Sequence, residues 1–222
     1  MQRTYLPLLA LSAAIAAPAW AASVFTSQPL DQARFAVLAQ PVGRSDWKLL
    51  VLEQIKPEPL CWEKRSDGLI DPALNRFDFS GICSRYIDSN GYSLRVGDED
   101  LASRYRLRLE QQGNKVSLLA MTPSQPTELL VGRGTVGQRD REGFVAIELE
   151  PGWSLERRAY GSQSLSHVYF ANGTPLSQLI AKASRGTTGS APAAPATVGK
   201  LKPLPPQPGS GPIALQVIPF KP

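Results

Sequence analysis

Apolar residues recur along the chain in short runs broken by turn formers. The runs are Phe35 to Ala39, Trp47 to Ile55, Tyr92 to Val96, Tyr105 to Leu109, Val116 to Met121, Glu128 to Val131, Phe144 to Leu149, Trp153 to Leu155 and Leu165 to Phe170. Gly43, Pro57, Pro59, Gly97, Gly113-Asn114, Pro123, Pro126, Gly137 and Pro151-Gly152 separate them. Many short strands at this spacing predict an all-β domain, a single antiparallel sandwich or barrel. In Tyr92 to Val96, Tyr92, Leu94 and Val96 alternate with Ser93 and Arg95, the period of a strand with one buried face. Asn90-Gly91 precedes that run and predicts a type I′ hairpin joining it to Tyr86-Ile87.

The acids of Asp98 to Asp100 look like a helix start, but Tyr105, Leu107 and Leu109 alternate with Arg104, Arg106 and Arg108, which favours a strand with an arginine-lined outer face. One short helix closes the domain over Thr174 to Lys182. Thr174 is placed as its N-cap, Pro175 at its first position, and Leu176, Leu179 and Ile180 lie on one face.

Met1 to Ala21 reads as a signal peptide: Arg3, an apolar run from Leu6 to Ala17, then Ala19-Trp20-Ala21. The β domain then spans 22–183 and a Pro/Gly/Ala-rich tail, read as disordered, spans 184–222. No run after the signal peptide is long and apolar enough to span a bilayer, which needs about twenty residues. The expected location is extracytoplasmic: periplasm, cell envelope or secreted. In that setting the two cysteines, Cys61 and Cys83, are expected to pair.

The net charge of +5 is unevenly spread, because no Asp or Glu follows Glu156 while seven Lys and Arg do. A basic tail on an exported chain points to weak, salt-dependent adhesion to anionic envelope material. The apolar end Ile213 to Phe220 is a segment that can add as a strand to this domain or a partner. Nucleic acid is not an expected partner, since no basic-aromatic module is present. A single histidine and no Cys-x-x-Cys leave few metal ligands, and neither a metal nor a cofactor is implied.

Of the candidate chemistry, Trp62, Tyr86, Asp88, Asn90 and Tyr92 are read as a possible ligand surface around the two cysteines. His167 sits in an alternating run and is read as a satisfied strand histidine, since no Gly-x-Ser-x-Gly elbow accompanies it. The leading reading is a non-enzymatic envelope module that binds an envelope polymer or another exported protein. The alternative is a glycan hydrolase using paired carboxylates, with Asp78 and Asp88 as candidates.

Six blocks carry a resemblance: Leu50-Val51-Leu52-Glu53-Gln54, Cys61-Trp62, Phe77-Asp78-Phe79-Ser80-Gly81-Ile82-Cys83, Asp88-Ser89-Asn90-Gly91-Tyr92-Ser93, Leu130-Val131-Gly132-Arg133 and Pro151-Gly152-Trp153. Together the chain resembles a family of cyanobacterial exported proteins catalogued only as a domain of unknown function. The resemblance implies a photosynthetic bacterial source and an extracytoplasmic location, and it brings no activity or site residues with it.

Overall fold

The computed structural model describes residues 24–187 except Asn75 and Gln138; the signal-peptide reading and most of the tail, including Ile213 to Phe220, lie outside the described residues. The chain opens with β1 (Thr26–Pro29), a one-turn 3-10 helix (Gln32–Arg34), β2 (Phe35–Val42) and β3 (Asp46–Gln54). An excursion carries β4 (Trp62–Lys64) and β5 (Ile70–Pro72) and returns as β6 (Cys83–Tyr86). β7 (Tyr92–Val96) and β8 (Glu99–Asp100) follow, then the meander β9 (Arg106–Gln112), β10 (Lys115–Thr122) and β11 (Gln125–Thr135). The short β12 (Val145–Ala146) and β13 (Glu148–Leu149) lead to β14 (Trp153–Tyr160), β15 (Gln163–Asn172) and α1 (Leu176–Thr187).

The fold is all-β with one short helix, and its strands form a five-stranded sheet β1-β14-β15-β7-β8, four-stranded sheets β13-β11-β10-β9 and β12-β2-β3-β6, and the pair β4-β5. The sheets curl around a shared core. Val37 and Val51, Val116 and Leu118, Leu129 and Val131, and Leu94, Val168 and Phe170 come from the three larger sheets and pack in one cluster. β9 keeps the predicted alternation, with Arg106 and Arg108 exposed and Leu107 and Leu109 turned toward that cluster.

β3 is buried on both faces from Leu49 to Leu52. Leu49 and Val51 face the main core, while Leu50 and Leu52 join Leu38, Ile70 and Phe144 in a second cluster. The excursion between β3 and β6 covers this second face, with Trp62, Leu74 and Phe79 packed on it. The Cys61–Cys83 disulfide closes the excursion across 22 positions of sequence, as the cysteine reading predicted. Phe77 and Phe79 belong to a loop rather than a strand; their rings stack at 5.7 Å, and Asp78 between them is exposed.

Three local expectations are corrected. β6 and β7 do not form a hairpin: β6 pairs with β3 and β7 pairs in parallel with β15, so the Asp88 turn passes the chain from one sheet to another. No residue of that turn has positive φ. Gly91 is there for space instead, since a Cβ on it would lie 3.0 Å from Tyr86 Cβ and 3.1 Å from Tyr86 Cα. The sheet that was expected to be antiparallel therefore contains one parallel pair, Tyr92 to Val96 beside Val168 to Asn172. Finally, all five residues of β7 are buried, so Ser93 and Arg95 are enclosed although their alternation reads as solvent-facing.

α1 packs Leu176, Leu179, Ile180 and Ala183 on the core, the face expected from the sequence. It continues to Thr187, past the composition change at Ser184, whose hydroxyl donates within the helix to Ile180 O at 2.9 Å. Among the described residues no helix is long and apolar enough to cross a membrane.

Candidate functional site: the Asp88 turn and the buried polar face behind it

The Asp88 to Tyr92 turn is held by its first residue. Asp88 Oδ1 accepts from Asn90 N at 2.9 Å, and its carbonyl accepts from Gly91 N at 2.9 Å and Tyr92 N at 3.0 Å. Asn90 passes the constraint inward: its carbonyl accepts a hydrogen bond from His167 Nδ1 at 2.8 Å. A carbonyl can only accept, so Nδ1 carries the proton and Nε2 accepts from the Ser93 hydroxyl at 2.7 Å. Burial, with the nearby Arg158 charge, pushes the imidazole below its ordinary range despite the opposing Asn90 bond. His167 is thus a neutral strand histidine with both nitrogens bonded.

The remaining sequence candidates separate. Tyr86 is buried, and its hydroxyl donates to Glu53 Oε2 at 2.5 Å while accepting from Arg157 at 2.7 Å. Tyr92 is buried edge-on to Phe170 at 5.9 Å, and burial, aided by Asp88, pushes its hydroxyl up to about 12. Trp62 is half-buried on the second cluster. Neither tyrosine ring therefore presents a face to solvent, and only Asp88 and Asn90 of the five are exposed. Beside them opens a cavity of about 210 Å³ lined by Ser89, Tyr92, Ser93, Ala102, Tyr105 and Arg106.

Of the two candidate hydrolytic acids, Asp78 accepts from Ser80 N at 3.0 Å, and this bond holds its carboxyl below the usual range. A general acid needs the opposite shift. Other acids of this region are ion-paired: Asp67 with Arg65, Asp71 with Arg76, and Glu99 with Arg104. Among the described residues no group of three His, Cys, Asp or Glu side chains is placed to hold a metal ion.

A polar cluster that the sequence reading did not single out lies behind the turn. Asp100 on β8 accepts from the Tyr169 hydroxyl at 2.7 Å and pairs with Arg158 of β14. Burial alone would raise the Asp100 carboxyl, but the bonds from Tyr169, Ala102 N and Arg158 outweigh it and hold the group below its ordinary value. The Tyr169 hydroxyl is pushed up to about 12, chiefly by burial. Arg95 of β7 lies 5.6 Å and Arg158 5.1 Å from the Tyr169 ring centroid, and the His167 ring meets Tyr169 edge-on at 5.5 Å. On the opposite side of β14, Arg157 bridges to Glu53 at 2.7 Å with both side chains 13 % exposed.

Residues 3–175 match the family described as "Protein of unknown function (DUF3747)". The chain belongs to this family. The DUF3747 match spans every strand of the fold and stops before α1, so the turn, the cavity and the polar cluster all fall within it. No curated protein and no solved structure matches the chain. The DUF3747 description assigns no activity, and the roles of these residues rest on geometry.

The cluster left one trace in the sequence: Ser93 and Arg95 in one run and His167 and Tyr169 in another place polar groups at alternate positions of otherwise apolar strands. Parallel pairing sets the runs side by side, with Ser93 opposite Tyr169 and Arg95 opposite Ala171.

Proposed function

We propose that this DUF3747 protein is a non-enzymatic extracytoplasmic module that binds an envelope polymer through the Asp88 turn and the adjoining cavity. The observation that carries the reading is the composition of that cavity. Ser89, Ser93, Tyr92, Tyr105 and Arg106, together with the apolar Leu94, Ala102 and Leu107, surround about 210 Å³ next to the exposed Asp88 and Asn90. Clefts for drug-sized ligands usually run to roughly 300–1,000 Å³. The smaller volume suits one ring or side group projecting from a chain, with the exposed Ser89 hydroxyl and Arg106 guanidinium to orient it. The disulfide and the leader-like Met1 to Ala21 support an oxidising, exported setting. The basic residues after Glu156 support a weak ionic contribution to adhesion.

The test is co-sedimentation of the chain beginning at Ala22 with isolated cell-wall material at low and high salt. Ser89→Trp fills the cavity from an exposed position, and Arg106→Ala removes its cation. Retention in high salt that both variants abolish is the expected result. Unaltered sedimentation of Ser89→Trp would remove the cavity from the reading, and no sedimentation of any form would end the polymer hypothesis.

A further inference from the structure

Arg106 is the charged residue in the lining of the cavity beside the Asp88 turn, and no acid lines it. The arginines that alternate with Tyr105, Leu107 and Leu109 differ in their partners. Arg104 pairs with Glu99, and Arg108 with Glu110 and Glu128, whereas Arg106 forms no ion pair among the described residues. Arg106 is nevertheless held in place: its Nη1 donates to Ala102 O at 2.6 Å and to Tyr105 O at 3.2 Å. Those two carbonyls engage both hydrogens of Nη1. The donors left over are on Nε and Nη2, which point side by side from one edge of the planar guanidinium, and that edge meets a carboxylate in two parallel hydrogen bonds. Main-chain carbonyls thus orient the group without neutralising its charge, so little ordering is left for a ligand to impose.

The rest of the lining is spoken for or apolar. Ser93 gives its hydroxyl to His167, and the Tyr105 hydroxyl faces Gln125 at 3.5 Å. Leu94, Ala102 and Leu107 supply an apolar wall. Ser89 and Arg106 are the exposed members of the lining, so the mouth offers a hydroxyl and a guanidinium edge. Asp88 stands outside the lining but close enough for its charge to help push the Tyr92 hydroxyl up.

We propose that this cavity takes a carboxylate-bearing side group, with the carboxylate on the Nε and Nη2 edge of Arg106 and its carbon skeleton against Leu94, Ala102 and Leu107. The inference rests on the reading of the cavity as a polymer site and names the class of polymer, one with acidic rather than neutral side groups. The charge of the site selects the ligand. A lining that carries one unpaired cation and no acid leaves a single positive charge for the ligand to match. A monoanion balances it, whereas a phosphate dianion overshoots and meets Asp88 near the mouth.

The experiment titrates D-glucuronate, D-glucose and glucose 6-phosphate into the 15N-labelled protein at pH 8 and constant ionic strength, following the Arg106 Nε–H and the backbone amides of Ser89 and Arg106. The three probes share one ring and differ in charge. Glucuronate should bind about tenfold or more tighter than glucose, the difference expected for charge-assisted hydrogen bonds. Arg106→Lys keeps the charge but loses the two-donor edge and should weaken glucuronate about tenfold, while Arg104→Lys should leave its affinity unchanged. The proposal is overturned if glucose binds as tightly as glucuronate, if glucose 6-phosphate binds more tightly, if Arg106→Lys has no effect, or if glucuronate shifts none of the Ser89 and Arg106 signals; the last readout needs no variant. Sedimentation separates this failure from failure of the cavity reading. Wall material whose carboxyls are amidated with carbodiimide and methylamine should no longer retain the protein in high salt. Retention on amidated wall that Ser89→Trp still abolishes would overturn the carboxylate and leave the cavity as the polymer site.

Discussion

Glu53→Gln should be among the most damaging single-atom exchanges in the protein. Glu53 uses both oxygens, one for the Tyr86 hydroxyl at 2.5 Å and one for Arg157 at 2.7 Å, in a site where both charged side chains are 13 % exposed. The amide fills the same space, but it removes the anion that pairs with Arg157 among the described residues and turns an N–H toward either the guanidinium or the phenol. Removing one partner of a buried pair costs about 3–5 kcal/mol because the other charge stays behind unpaired. The slight exposure of this pair places the expectation near about 3 kcal/mol. For a domain of this size that corresponds to a Tm fall of about 6–12 °C. Urea unfolding followed by tryptophan fluorescence reads the loss directly. Replacing all three groups, by Glu53→Leu, Tyr86→Phe and Arg157→Met, should restore stability to within about 1 kcal/mol of the parent, since no charge is then stranded. A Glu53→Gln loss below about 1 kcal/mol, the level of an exposed pair, would refute the reasoning. The comparison pair is Arg104 and Glu99, 54 % and 59 % exposed, where Arg104→Ala should change little.

Removing the disulfide by Cys61→Ala with Cys83→Ala releases a loop of 22 positions and should cost about 3 kcal/mol in urea unfolding, an effect that must vanish when the parent is measured in reductant. Gly134→Ala would set a Cβ 2.5 Å from Ala146 O and 2.7 Å from Val145 Cγ1, so a loss of about 1–3 kcal/mol is expected; a neutral result would mean that β11 and β12 can separate freely. The His167 value is lowered on folding, so the unfolded chain takes up its proton first and stability should begin to fall as pH drops below the ordinary 6.5. The Asp100 value is also lowered, so its contribution is full above 3.8 and is lost as pH falls through its folded value. A Tm profile against pH should show both declines, and His167→Gln should remove the first; persistence of that first decline in the variant would assign it elsewhere.

The strands whose pattern is set by their own residues were legible. The arginine alternation of β9 and the apolar face of α1 need only local periodicity, and two cysteines can pair within one chain in only one way. What escaped the sequence were features that depend on a second layer. Ser93 and Arg95 alternate as solvent-facing residues do, and nothing local shows that β15, Asp100 and Phe25 close over that side. Asn90-Gly91 has the composition of a hairpin turn, yet the ladders its neighbours join lie in different sheets. Gly91 answers to the nearby backbone of Tyr86, a contact no window of sequence reports. Tyr86 and Tyr92, read as a surface, are held inside because their hydroxyl ends find partners or their rings fill the core.

The parallel neighbours β7 and β15 join Tyr92 to Val168 and Val96 to Asn172, across most of the intervening chain. β7 sits inside its sheet, and one of its two flanks is completed only by the last strand. Closing so long a loop before its contacts reward it slows folding. During synthesis, everything that precedes β15 must therefore wait with an incomplete sheet until Gln163 to Asn172 emerges. A protein arranged this way acquires its native state late and all at once, and chains truncated before Asn172 should be substrates for proteases rather than smaller versions of the fold.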